Sequence, residues 1–204
     1  MVGSARQSAR FRADPNPDAP PGGASNEVVV DSTNAIADAL ERGPRTVRAL
    51  LGEMPPALLT RRPRPAKWSA HEHACHMARV DPIFRARLDR MLGEDTPLIV
   101  SYNPDTDESP DALLQMDLAD TVASFTRHRA EFVERVRALA PADWARRAEH
   151  TEHSHYSVFV MLRHLALHDM LHAYRIEELL LKKEWAAEHG ARVTRGAGAK
   201  GRDG

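Results

Sequence analysis

The feature that most constrains this chain is its period. Between about residue 32 and residue 185, apolar side chains recur at i, i+3 and i+4 over long stretches, with no sustained alternation of apolar and polar positions. That spacing gathers them on one stripe of a helix and gives a β-strand no buried face. The chain also lacks any run of 18 or more apolar residues, so no segment reads as a membrane span. One periodic region in 204 residues predicts a single domain over residues 27–189. Residues 1–26, rich in Pro, Gly, Asp and Arg, and residues 190–204, rich in Gly, Ala and Arg, hold too little apolar surface to fold and read as disordered arms.

Local signals divide the periodic region into four helices. The first is expected to start near Ser32 or Thr33, to be interrupted or restarted at Gly43-Pro44, and to end at Met54-Pro55-Pro56. The loop from Arg61 to Trp68 leads to the second, which Ser69-Ala-His-Glu72 opens as a capping box and which runs to about Leu92, bent at Pro82. A turn-rich stretch from Ser101 to Pro110 follows. The third is expected to be capped near Asp120 and to carry Val122, Phe125, Phe132, Val136 and Leu139 on one face, and the fourth to run from about Ser157 to Trp185. Four amphipathic helices joined by moderate loops predict an all-α fold, a four-helix bundle.

What such a bundle does is written in its histidines. There are 11 of them against a single cysteine, Cys75, which excludes a disulfide framework and a thiolate-rich zinc site. Cys75 itself reads as a small buried apolar residue. On the last helix an advance of about 100° per residue places His164, His168 and His172 within one core-facing arc with Met161, Leu165, Ile176 and Leu179. On the second helix His76 shares the inward arc with Val80, Phe84 and Met91; His73 falls at its edge and His71 is expected to face solvent. Buried imidazoles need partners, and His-x-x-x-His on one face offers two nitrogens to a single ion. A third imidazole from a neighbouring helix gives a candidate His76/His168/His172 site with an open fourth position, the ligand set of a catalytic divalent metal such as zinc, nickel or iron(II). Hydrogen-bonded core histidines are the competing reading. Glu72 has two readings, helix cap or proton-transfer group beside the site. The His150, His153 and His155 group is expected in a loop, exposed or forming a lid, and His128 and His189 at the surface.

Two segments resemble a known family. Arg62-Pro-Arg-Pro-Ala-Lys-Trp68-Ser-Ala-His-Glu72-His-Ala-Cys-His76-Met-Ala resembles the opening of the second helix in DinB-like (DinB/YfiT) proteins, and Leu162 to Ile176, with its His168-Asp-x-x-His172, resembles their last-helix signature. The resemblance implies a four-helix bundle, often homodimeric, in which His76, His168 and His172 bind a divalent metal. It further implies a metal-dependent enzyme, either an S-transferase taking a low-molecular-weight thiol cosubstrate or a hydrolase, acting on a small-molecule electrophile. The usual Gln before Ile176 is Arg175 here, and a guanidinium facing the pocket would favour an anionic ligand. The alternative is a non-enzymatic metal-binding stress-response bundle. A formal charge of −1 argues against a nucleic-acid partner, and the absence of an apolar leader near Met1 argues for a cytoplasmic protein.

Overall fold

A computed structural model describes residues 26–188 apart from Ala66, Glu108 and Pro110. Both arms and His189 fall outside the described residues. The elements run α1 (Asn26–Glu53), α2 (Pro56–Leu59), α3 (Ala70–Gly93), β1 (Leu98–Ile99), α4 (Pro104–Asp107), a 3-10 turn (Ala112–Gln115), α5 (Leu118–Arg137), α6 (Pro141–Trp144), β2 (Arg147–His150), β3 (Tyr156–Ser157), α7 (Val158–Leu180) and α8 (Lys183–Glu188). The long helices α1, α3, α5 and α7 form the four-helix bundle, with α1 and α3 each packed against both α5 and α7.

Boundaries follow local chemistry. The Ser69 side chain accepts from the Glu72 amide and the Glu72 carboxylate returns to the Ser69 amide, completing the capping box of α3. The cap of α5 is Asp117, whose carboxylate accepts from Asp120 N at 2.8 Å, so this helix starts three residues before the expected Asp120. Leu139 lies beyond its end, packed against the core. Ser157 caps α7, which stops at Leu180, and a short break separates it from α8 and the buried Trp185.

The first helix corrects the sequence reading most. It begins at Asn26 and passes unbroken through Gly43 and Pro44. Pro44 has no N–H for the Leu40 carbonyl, the fault that was expected to interrupt the helix. The buried Arg129 donates to that carbonyl from Nη1 at 3.3 Å and removes the reason to break. Gly43 is required where α1 crosses α7, because a Cβ there would meet Asp169 Oδ2 at 2.7 Å.

The small sheet is the second correction to a purely helical expectation. Its order is β1-β2-β3, with β1 parallel to β2 in the register Leu98↔Glu149 and β2 antiparallel to β3 in the register Ala148↔Tyr156. It draws the 150–155 segment into a hairpin turn between β2 and β3, where the sequence suggested a loop, exposed or forming a lid.

The core is built in two apolar halves. One gathers around Leu40, Leu88, Phe132 and Leu165, the other around Val47, Met77, Phe125 and Ile176. Between them every long helix contributes something other than a large hydrophobe: Gly43 from α1, His76 and Asp81 from α3, Arg129 from α5, His168, Asp169 and His172 from α7. This polar layer holds the site.

Candidate metal centre

Within the layer, one ligand nitrogen from each of His76, His168 and His172 lies within 4.8 Å of the others. The facing atoms are the Nε2 atoms: His168 Nε2 is 3.0 Å from His76 Nε2 and 3.1 Å from His172 Nε2. One proton on His168 Nε2 cannot be aligned with both neighbours at once, so hydrogen bonding alone leaves a contact poorly satisfied. Nδ1 of His76 and of His168 are buried with no hydrogen-bond partner among the described residues. A divalent cation resolves the convergence: imidazole nitrogens at about 2.0–2.1 Å around a tetrahedral centre lie about 3.3 Å apart, close to the separations observed. The donor set therefore fits a divalent metal, with the α7 pair on one helical face and His76 reaching in from α3.

Electrostatics keep these rings available as ligands. Burial, helped by the neighbouring imidazoles, lowers His76 to about 3 and His172 to about 2, so both are neutral near pH 7. His73, placed by the sequence at the edge of the arc, is 2.8 Å from His172 through the two Nδ1 atoms. Burial lowers it to about 4, against the opposing pull of Glu72, and a neutral His73 can accept the Nδ1 proton of His172 while His172 Nε2 faces its partners. Asp169 sits behind His168, with Oδ1 at 3.9 Å from His168 Nδ1. Trp68 covers the cluster, its ring 4.7 Å from that of His76 and stacked on His172 at 5.9 Å.

The remaining candidates lie elsewhere. Glu72 is buried, and its carboxylate accepts from Arg62 Nε at 3.0 and 2.9 Å, from Ser69 N at 2.9 Å and from Ser69 Oγ at 2.8 Å, with a further ion-pair contact to Arg62 Nη2. Burial alone would raise its pKa, but the bonds from Arg62 and Ser69 prevail and hold it below the ordinary carboxylate value. Arg175 is half exposed and paired with Glu178 at 2.6 Å. Neither residue lines the cavity that contains the three histidines. His71, expected in solvent, is buried with Nε2 at 3.0 Å from the Leu113 carbonyl, because the 3-10 turn lies across the start of α3. His128 is exposed. Cys75 is buried and its thiol is pushed up to about 12 by desolvation.

The histidine cavity encloses about 360 Å³. A larger groove of about 800 Å³ runs between α1 and α5, but among the described residues the metal-ligating cluster occurs only in the smaller cavity.

The family model of the DinB superfamily matches residues 39–176. The chain belongs to the DinB superfamily. The match spans parts of all four long helices and every residue of the histidine cluster. Among solved structures, this DinB-superfamily chain is similar to YfiT from Bacillus subtilis, described as a probable metal-dependent hydrolase with an unusual four-helix bundle topology. The two share 19% identity over 84% of this chain and 93% of that one, with a TM-score of 0.69, a likeness of fold. No curated protein sequence matches this chain.

Trp68, His73 and Asp169 are the site residues that sequence reasoning passed over. Each had a signal. Trp68 directly precedes a capped helix that carries a ligand, His73 lies at the margin of the inward arc, and Asp169 follows a ligand histidine.

Proposed function

We propose that this DinB-superfamily chain is a metal-dependent enzyme whose His76, His168 and His172 hold zinc, nickel or iron(II) and act on a small electrophilic substrate, as a hydrolase or as an S-transferase using a low-molecular-weight thiol. The observation that carries the reading is the convergence of three Nε2 atoms, at 3.0 and 3.1 Å, inside a cavity large enough for a small molecule. The metal-dependent hydrolase description of YfiT agrees with it. When bound, such an ion supplies Lewis-acid chemistry, lowering the pKa of a water or thiol in its open position.

The chain's own residues prepare that chemistry. His73 selects the tautomer of His172 that directs Nε2 inward. Trp68 and Tyr102, stacked at 6.3 Å from His76, cover the cluster against bulk water. Glu72 and Arg62 anchor the first turn of α3, one turn from His76. With Cys75 buried and protonated, a sulfur nucleophile has to arrive with a cosubstrate. The homodimer implied by the family resemblance would cover Leu167, Met170, Leu171 and Tyr174, exposed together on the outer face of α7; sedimentation equilibrium reads this directly.

The test is elemental analysis of the chain purified without added metal, followed by ester turnover with and without added thiol. The expected result is about one divalent ion per chain, lost in His168→Ala together with turnover. Stoichiometric metal in His168→Ala overturns the site. Metal that raises thermal stability in a chain without turnover, with or without thiol, would favour the non-enzymatic alternative. Because burial holds His76 and His172 neutral to about 3 and about 2, metal binding should persist below pH 6, where ordinary imidazoles already lose it to protons. Release with a midpoint at or above pH 6 would contradict that environment.

A further inference from the structure

The cavity has a second wall that the metal reading leaves unused. Beside the ligand cluster it is lined by Arg87 of α3, His164 of α7, His150 of β2 and His153 of the following turn. The rings of His150 and His153 stack at 4.4 Å, so their nitrogens lie side by side and do not converge on a point as those of the metal cluster do. His153 in turn lies 5.9 Å from His164, and His150 lies 4.4 Å from the buried Tyr156.

The donors at this wall are specific. His150 Nδ1 accepts from the Glu152 amide at 3.1 Å, which puts the ring proton on Nε2 as a donor. Burial, with neighbouring imidazoles and Arg87 adding to it, lowers both His150 and His164, so they supply neutral N–H groups. The positive charge comes from Arg87. Its guanidinium lies 4.9 Å over the Phe84 ring, Nη2 donates to the Val100 carbonyl at 2.9 Å, and Nη1 is 3.5 Å from Tyr156 Oη. Three of its five N–H donors remain, and no carboxylate among the described residues pairs with it, in contrast to Arg129, which holds two. Glu152 also reaches this end, but its side chain is exposed at the rim, where water screens it. A guanidinium held over an aromatic face, with N–H donors beside it and no carboxylate paired to it among the described residues, is an arrangement that recognises an oxyanion.

We propose that this wall is an oxyanion subsite, in which Arg87 with His150 and His164 binds a carboxylate or phosphate carried by the substrate. His164 precedes His168 by one turn, which sets the oxyanion about 6 Å along α7 from the metal cluster. The substrate class is then a short chain with an electrophilic centre at one end and an anionic group a few bonds away. The proposal deepens the metal-enzyme reading and rests on it for the placement of the electrophile.

The test uses the zinc-loaded full chain and paired probes: succinic monohydroxamate, whose hydroxamate binds metal and whose carboxylate reaches the wall, against its neutral terminal amide, with 3-phosphonopropionohydroxamate as the phosphate arm. Calorimetry should show an anionic probe binding at least about tenfold tighter than the amide, as expected for hydrogen bonds to charged groups. The stronger of the two anions identifies the oxyanion. The preference should fall to within about twofold in Arg87→Gln and weaken partly in His164→Gln, with zinc content unchanged. Equal binding of amide and anions by the unaltered chain overturns the subsite whether or not a variant folds, and so does a preference that survives in folded Arg87→Gln. A parallel titration of metal-free chain with glutarate and glutaramide, read by NMR, separates the two proposals. Glutarate preference without any hydroxamate gain from zinc keeps the subsite and removes the metal reading; zinc-dependent hydroxamate binding without anion preference does the reverse.

Discussion

The polar layer contains two clusters that meet at adjacent residues, His168 and Asp169, and they solve the problem of burial in opposite ways. In the first, Arg129 donates to Asp81 Oδ1 at 2.6 Å, pairs with Asp169 Oδ2 and caps the Leu40 carbonyl at 3.3 Å, with all three charged side chains almost wholly inaccessible. One guanidinium sits between two carboxylates, and although Asp81 Oδ2, Asp169 Oδ1 and Arg129 Nη2 are buried without a hydrogen-bond partner among the described residues, the cluster ties α1, α3, α5 and α7 together. In the second, three imidazoles aim Nε2 at Nε2; His73 supports His172 from behind, but nothing among the described residues fills the point on which the three converge. A buried cluster whose groups pair with one another across four helices is architecture; one that aims its ligand nitrogens at a common point is prepared for a ligand. Asp169 belongs to both, with one oxygen on Arg129 and the other 3.9 Å from His168 Nδ1.

That contrast is most exposed to test at Arg129. Removing one partner of a buried ion pair leaves uncompensated charge, at a cost of about 3–5 kcal/mol. Arg129→Gln should therefore lose stability on that scale in urea titrations of metal-free protein, and added zinc should not restore the difference. A loss below about 1 kcal/mol would mean that the triad is not what holds the helices in place.

The histidine cluster predicts a different pattern. His73→Ala removes the acceptor that orients His172 but not a ligand, and outer partners of this kind typically change metal affinity by about 10–100-fold. Competition against a chelator should show that loss, while urea titration of the metal-free variant should shift by less than about 1 kcal/mol. Unchanged affinity would mean that the 2.8 Å contact between His73 and His172 plays no part in ligation.

How much of this contrast was legible in the sequence depends on which side of it a residue stands. The three histidines could be found because each lies on a long apolar stripe at helical spacing, where a polar ring stands out. The triad carried the same signal: Arg129 lies on the face of Phe125 and Phe132, and Asp81 on the face of Met77, Phe84 and Leu88. What the sequence does not hold is the pairing, since Asp81 and Arg129 are 48 residues apart and meet only once α3 packs on α5. Without Arg129 at Leu40, the break expected at Pro44 was the sound local inference. The sheet was hidden for another reason. Strands of two, four and two residues are too short to show alternation, so nothing in the sequence decided between exposure and a lid for His150 and His153. His71 was misplaced because the turn that covers it arrives from 42 residues away.

The smallest expected effect tests whether the two clusters are independent. Gly43→Ala should gain about 1 kcal/mol of helix propensity in α1. The new Cβ, however, would stand 2.7 Å from Asp169 Oδ2 and 3.3 Å from Asp169 Cβ and Cγ, so the Asp169 side chain would have to shift. Overpacking of this kind costs about 1–3 kcal/mol, so the net change in stability should be a loss of about 1 kcal/mol. The backbone of Asp169 is fixed within α7 and its Oδ2 is held by Arg129, so relief has to come from rotating the carboxylate, and that moves Oδ1 relative to His168 Nδ1. Zinc affinity should then fall severalfold although no ligand and no neighbour of a ligand nitrogen has been replaced. A stability loss with unchanged zinc affinity would break the link, leaving Asp169 a member of the ion triad alone and His168 oriented by its own helix.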